Sequence, residues 1–279
     1  MMKTISLPRL GSLFAVLCAV SAAMPSAHAD LDKVKQSGVL KVAVYKDMLP
    51  FSANNGNGID VELANALAVK LGVRTSFLPF DAGENLNDDL RNMVWKGHYL
   101  GYGPADVMMH VPVDTGLMAA NKNVSIFAPY YREQVRLVRD VRKIPNCDSV
   151  DCLVGKKVGV EKVSIAAVVL LGEQDGKVRD SVKIYDTAAA ALAAMKAGEI
   201  DAVLANRSEI ESAVRGNADY PLSDLSFARL PRQGWIVGLA VKQSNTELAR
   251  ALQAAANDLS TSGELAKIFA KYGVTPTRP

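Results

Sequence analysis

Cysteine and aromatic residues are scarce: three Cys and 6% Phe, Trp and Tyr in 279 residues. So few cysteines exclude a disulfide-dense miniature scaffold. No apolar run reaches the 18 residues of a membrane-spanning helix. The formal charge is only +3, with no Lys/Arg cluster, so the electrostatic footprint of a nucleic-acid binder is missing. There is no nucleophile motif, no Gly-rich phosphate cradle and no Ser–His–carboxylate order, so no catalytic residue and no cofactor is assigned. What is present is ordinary for a globular chain: 49% hydrophobic and 22% charged residues, in a length that suits about two modest domains.

The first 29 residues read as a targeting segment. Lys3 and Arg9 supply a basic start, Leu13–Val20 a short apolar run, and Ala27-His28-Ala29 a small-x-small exit before Asp30. The run is too short for a membrane anchor, and Cys18 within it lacks the arrangement needed for lipidation. The expected destination is the periplasm. Removing 29 of the 279 residues leaves 250 and takes Lys3 and Arg9 with it, lowering the formal charge from +3 to +1. Of the cysteines only Cys147 and Cys152 then remain. An isolated pair in an oxidising compartment predicts a disulfide, since the segment lacks the further soft ligands of a metal site.

Strand and helix patterns alternate along the rest of the chain. Val39–Tyr45 has the alternation of a strand. Leu63, Leu67 and Leu71 repeat every four residues on a predicted helix that Asp60 can cap and Gly72 can end. Strands are predicted at 75–79, 105–111, 134–138, 157–160, 182–185, 201–205 and 235–241. Helices are predicted at 86–95, at 165–171, after Thr187, and twice near the C-terminus. This grammar predicts α/β layers with largely parallel sheets.

The order of landmarks resembles the bacterial extracellular solute-binding proteins of family 3, the polar-amino-acid type. The resemblance is carried by Gly58-Ile-Asp-Val-Glu-Leu-Ala64, Ala105-Asp-Val107, Phe127-Ala-Pro-Tyr-Tyr131, Val154-Gly-Lys-Lys-Val-Gly-Val160, Ala197-Gly-Glu-Ile-Asp-Ala-Val203 and the ending Ile268–Gly273. It implies an α/β, two-lobed, type II periplasmic-binding-protein fold with two crossing hinge strands. Residues 30–131 plus 236–279 would form lobe 1 and residues 132–235 lobe 2. A small-molecule solute would sit between them, for delivery to a membrane permease complex of the ABC type by a monomeric binding protein that is not an enzyme.

The sequence departs from that family where the family grips an amino acid. An Arg that pairs with the ligand carboxylate is replaced near Met118, leaving Lys122 as the nearest cation. The Asp that holds the ligand ammonium is replaced by Asn206, and a Gly-Thr-Thr-like turn by Lys162-Val-Ser-Ile165. An ordinary α-amino acid is therefore not expected, because a buried zwitterion needs paired charges. The candidate ligand-binding residues are Tyr45, Phe51, His110, Lys122, Ser164 and Asn206. Each has a plainer alternative: core packing for the aromatics, a helix cap for Ser164. If Lys122 folds inward, an acid lacking the amino group is expected to bind better than the matching amino acid. His98 and His110 beside Asp106 or Asp114 are too weak a pattern to assign a metal. Two other functions remain open: an accessory protein of a periplasmic quinoprotein alcohol or methanol dehydrogenase, since with its degraded clamps the chain resembles the diverged family members found beside such enzymes, and an enzyme on the same fold.

Overall fold

The computed structural model describes residues 29–230, 234–277 and 279. The expected targeting segment, up to His28, and Gln233 near the end of the expected lobe 2 lie outside the described residues. The chain runs α1 (Ala29–Ser37), β1 (Val39–Tyr45), α2 (Ile59–Leu71), β2 (Arg74–Phe80) and α3 (Leu86–Leu90), which continues into one π turn, Arg91–Trp95. β3 (Val107–Pro112), α4 (Thr115–Ala120) and β4 (Val124–Glu133) follow. Next come β5 (Val135–Arg139), β6 (Val158–Glu161), α5 (Ile165–Gly172), β7 (Val182–Tyr185), α6 (Ala188–Lys196), β8 (Ala202–Asn206), α7 (Arg207–Val214) and β9 (Leu222–Ser223). The chain closes with β10 (Trp235–Lys242), α8 (Thr246–Thr261) and α9 (Glu264–Lys271).

These strands make two five-stranded sheets, ordered β2-β1-β3-β10-β4 and β7-β6-β8-β5-β9. The first is parallel through β2, β1 and β3, with β10 antiparallel to both β3 and β4. In the second, β6 runs parallel to β7 and β8, and β5 antiparallel to β8 and β9. Only Gln134 separates β4 of the first sheet from β5 of the second, so the chain passes between the lobes there.

The interior strands β1 and β8 send side chains into a core on each face of their sheets, which explains their largely apolar runs. Leu40, Val42 and Val44 of β1 enter the core formed with α2 and α8, while Ala43 and Tyr45 enter the core formed with Leu90, Met93 and Val94. In β8, Ala202 and Leu204 pack toward α5, and Val203 and Ala205 toward α6 and α7. The four-residue repeat of α2 holds: Leu63, Leu67, Ala64 and Ala68 are buried, and the Gly72 N–H closes the helix on the Ala68 and Val69 carbonyls. Met108 and Met109 are fully buried sheet residues.

Cys147 and Cys152 are joined, with Cα atoms 5.3 Å apart, beside the buried Val150 and Leu153. Denatured, unreduced protein is expected to contain no titratable thiol from this pair. In the chain-entropy model, opening so short a loop costs about 2 kcal/mol. Reduction should lower the melting midpoint, and two free thiols before reduction would overturn the pairing.

Candidate functional site

A cleft of ≈ 370 Å³ opens where the carboxyl ends of the parallel strands face each other. The first lobe contributes Tyr45 at the end of β1, Met48, Leu49 and Phe51 from the loop after it, Asp89 of α3, and His110 and Pro112 of β3. The second contributes Asn206 at the end of β8 with Ser208 and Glu209 of α7, and the crossing segments add Glu133 and Trp235.

One wall is built around His110, whose φ of +60° puts a non-glycine residue in the left-handed region. Its backbone N–H donates to the Tyr130 hydroxyl at 3.1 Å, and that hydroxyl donates to Asp60 Oδ1 at 2.6 Å. The imidazole Nδ1 lies 3.2 Å from Asp60 Oδ2. Phe51 packs at a tilt of 59° against the imidazole, with ring centroids 4.1 Å apart, and also against Tyr131. Asp60 is thus not the cap expected from the sequence. Gly58 holds the N-cap position of α2, and Asp60 turns into the core to fix the His110 wall.

The acidic groups of the cleft are three carboxyls, Asp89, Glu133 and Glu209. Asp89 accepts from the Gly83 N–H at 2.8 Å and the Tyr45 hydroxyl at 3.0 Å, and burial raises its pKa. Glu133, 2% exposed, accepts from the Gln134 N–H at 2.9 Å and from both the hydroxyl and the N–H of Ser208. Burial raises its pKa too, against the pull of those donors and of His110. Glu209 closes a capping box with Asn206, whose N–H it accepts at 3.0 Å. Burial pushes its pKa up to about 8, against the Asn206 N–H and with help from the charges of Glu161 and Glu133.

Four of the six candidate residues meet in the cleft: Tyr45, Phe51, His110 and Asn206. Lys122 and Ser164 do not line it. Lys122 is exposed in the turn before β4, while Glu133 at the other end of that ten-residue strand enters the cleft. At about 3.3 Å per residue the two ends are roughly 30 Å apart. Ser164 caps α5, accepting from the Ala167 N–H at 3.1 Å and donating to the Glu161 carbonyl at 2.7 Å. Met118 packs against the apolar layer behind β3. His98 stacks on Tyr102 and meets Tyr99 at a tilt, in a loop apart from the cleft lining. Among the described residues no group of three His, Cys, Asp or Glu side chains could hold a metal ion. Sequence reasoning missed Asp89, Glu133, Glu209 and Trp235. For Glu209 a signal existed: Asn206-x-x-Glu209 directly after a strand is a capping-box pattern, which starts a helix at the crevice.

No family model matches the chain. A probable histidine-binding protein of Neisseria gonorrhoeae is 26% identical over 245 residues, spanning 84% of this chain and 82% of that protein. An ancestral cationic amino acid solute-binding protein superposes with a TM-score of 0.68 at 21% identity, over 87% of this chain and 99% of that one. An amino acid ABC transporter substrate-binding protein from Streptococcus pneumoniae, bound to L-arginine, gives a TM-score of 0.61 at 19% identity, over 89% and 99% of the two chains. The chain has the type II periplasmic-binding-protein fold. The proteins it is similar to are themselves named as solute-binding or amino-acid-binding proteins, at 26% identity or less. They do not support the dehydrogenase-accessory alternative. No helix among the described residues is long and apolar enough to cross a membrane.

Proposed function

We propose that this protein binds a small polar organic solute in the cleft between its lobes, in the periplasm, and hands it to an ABC-type permease. The solute is not an ordinary α-amino acid. One observation carries this reading: the described cleft lining contains Asp89, Glu133 and Glu209 but neither Lys nor Arg. A zwitterion entering it would bring a carboxylate up to three carboxyl groups with no guanidinium or ammonium to receive it. The relatives' ligands therefore do not transfer directly. The basic, apolar, Ala27-His28-Ala29 start of the chain supports the periplasmic location.

A thermal-shift series tests this reading. A ligand at about 100 times its dissociation constant stabilises by about 2.7 kcal/mol, which raises the midpoint of a protein of this size by roughly 5–11 °C. No such rise is expected with the twenty common amino acids at millimolar concentration. A clear shift with histidine, arginine or glutamine would restore ordinary amino-acid uptake.

A further inference from the structure

Resting on the reading of this cleft as a solute site, we infer that its solute is a small organic cation without a carboxylate, such as an amine or an amidinium compound, gripped by the cleft carboxylates and aromatic rings. The three carboxyl groups come from three separate parts of the fold: Asp89 from the first lobe, Glu133 from the crossing strand and Glu209 from the second lobe. A ligand touching all three would tie the lobes together, as closure around a solute requires. The donors described for these carboxylates are neutral: backbone N–H groups, hydroxyls and the Asn206 amide.

Several other acids of the same chain are paired with cations. Asp140 meets Arg142 at 2.6 Å, Glu211 meets Arg207 at 2.6 Å, and Asp201 meets Lys143 at 3.0 Å. Among the described residues no Lys or Arg forms an ion pair with Asp89, Glu133 or Glu209, and His110 is the one basic side chain in the described lining. Burial raises the pKa of all three, so holding them ionised is unfavourable until a positive charge arrives. Tyr45, Phe51 and Trp235 line the same space, and aromatic rings attract a desolvated cation. A metal ion is a poorer occupant, since these carboxylates do not gather as a metal-holding group.

This reverses the expectation drawn from Lys122. The compound favoured is the amino acid's decarboxylated partner, not its deaminated one. The test uses matched pairs: agmatine with arginine, putrescine with ornithine, histamine with histidine and tyramine with tyrosine. Succinate, glutarate, neutral sugars and calcium chloride complete the panel, with midpoint shifts followed by calorimetric titration. At least one amine is expected to raise the midpoint and to bind at least about tenfold more tightly than its parent amino acid. Glu209→Gln is expected to weaken that amine at least about tenfold while the ligand-free midpoint holds or rises, because it removes a carboxyl whose ionisation burial opposes and keeps an oxygen for the Asn206 N–H. A purely structural role would instead lower the ligand-free midpoint. Binding of an acid, a sugar, calcium or a parent amino acid as tightly as any amine overturns the cation inference and leaves solute binding standing. No shift with any class in the panel overturns the solute reading beneath it.

Discussion

Replacing Asp60 with alanine is expected to lower stability by about 3 kcal/mol and the melting midpoint by roughly 6–12 °C. Asp60 is 1% exposed and receives the Tyr130 hydroxyl at 2.6 Å and the His110 imidazole at 3.2 Å. Removing the carboxylate leaves two polar groups without their shared acceptor and a void between α2 and the sheet. The effect also reaches the cleft. His110 loses the contact that orients its ring, and Phe51, packed at a tilt against that ring at 4.1 Å, loses its support. Asp60→Asn keeps the shape and one acceptor oxygen, so it should recover about half of the loss. Thermal unfolding of the two variants measures both effects. An alanine variant that melts within about 2 °C of the parent would show that this buried network contributes little.

A comparable loss is expected from Gly234→Ala, at the second passage between the lobes. Gly234 has φ +64°, and a Cβ there would lie 1.8 Å from the Glu133 carbonyl oxygen and 2.8 Å from its carbon. The left-handed conformation alone costs an alanine about 1 kcal/mol. The collision adds more, because backbone cannot rotate away as a side chain can. Trp235 pairs directly with Glu133, so the strain falls on the register between the crossing strands and on a cleft carboxylate. We expect a total loss of about 3 kcal/mol and weaker solute binding. Gly198→Ala is the control. It has φ +81° with no neighbouring atom within 4 Å, so it should show the conformational cost only, about 1 kcal/mol. Chemical denaturation compares the two, and equal losses would remove the argument from close approach.

The sequence by itself determined the elements and the fold class, because both rest on short-range patterns. The alternation in β1, the four-residue repeat of α2 and the apolar run of β8 each dictate a strand or helix whatever lies around them. The ordered landmarks from Gly58 to Gly273 then point to two lobes. The elements α1, α4, α7, the two-residue β9 and the ten-residue β4, whose Pro129 and mixed pattern hide a strand, are not predicted, since their stability comes from packing and pairing with distant chain. Only the tertiary structure decided the chemistry of the cleft. Tyr45 meets Asp89 across 44 residues and Tyr130 meets Asp60 across 70, and neither pairing has a local signature. Lys122 stood close in sequence to the missing Arg, but a full strand carries it to the far end of the sheet. Glu133 stood unremarked beside the Pro-Tyr-Tyr motif, and the crossing strand carries it into the site. The sign of the charge in the cleft is set by which strand ends converge, and that convergence is a property of sheet order, not of sequence neighbourhood.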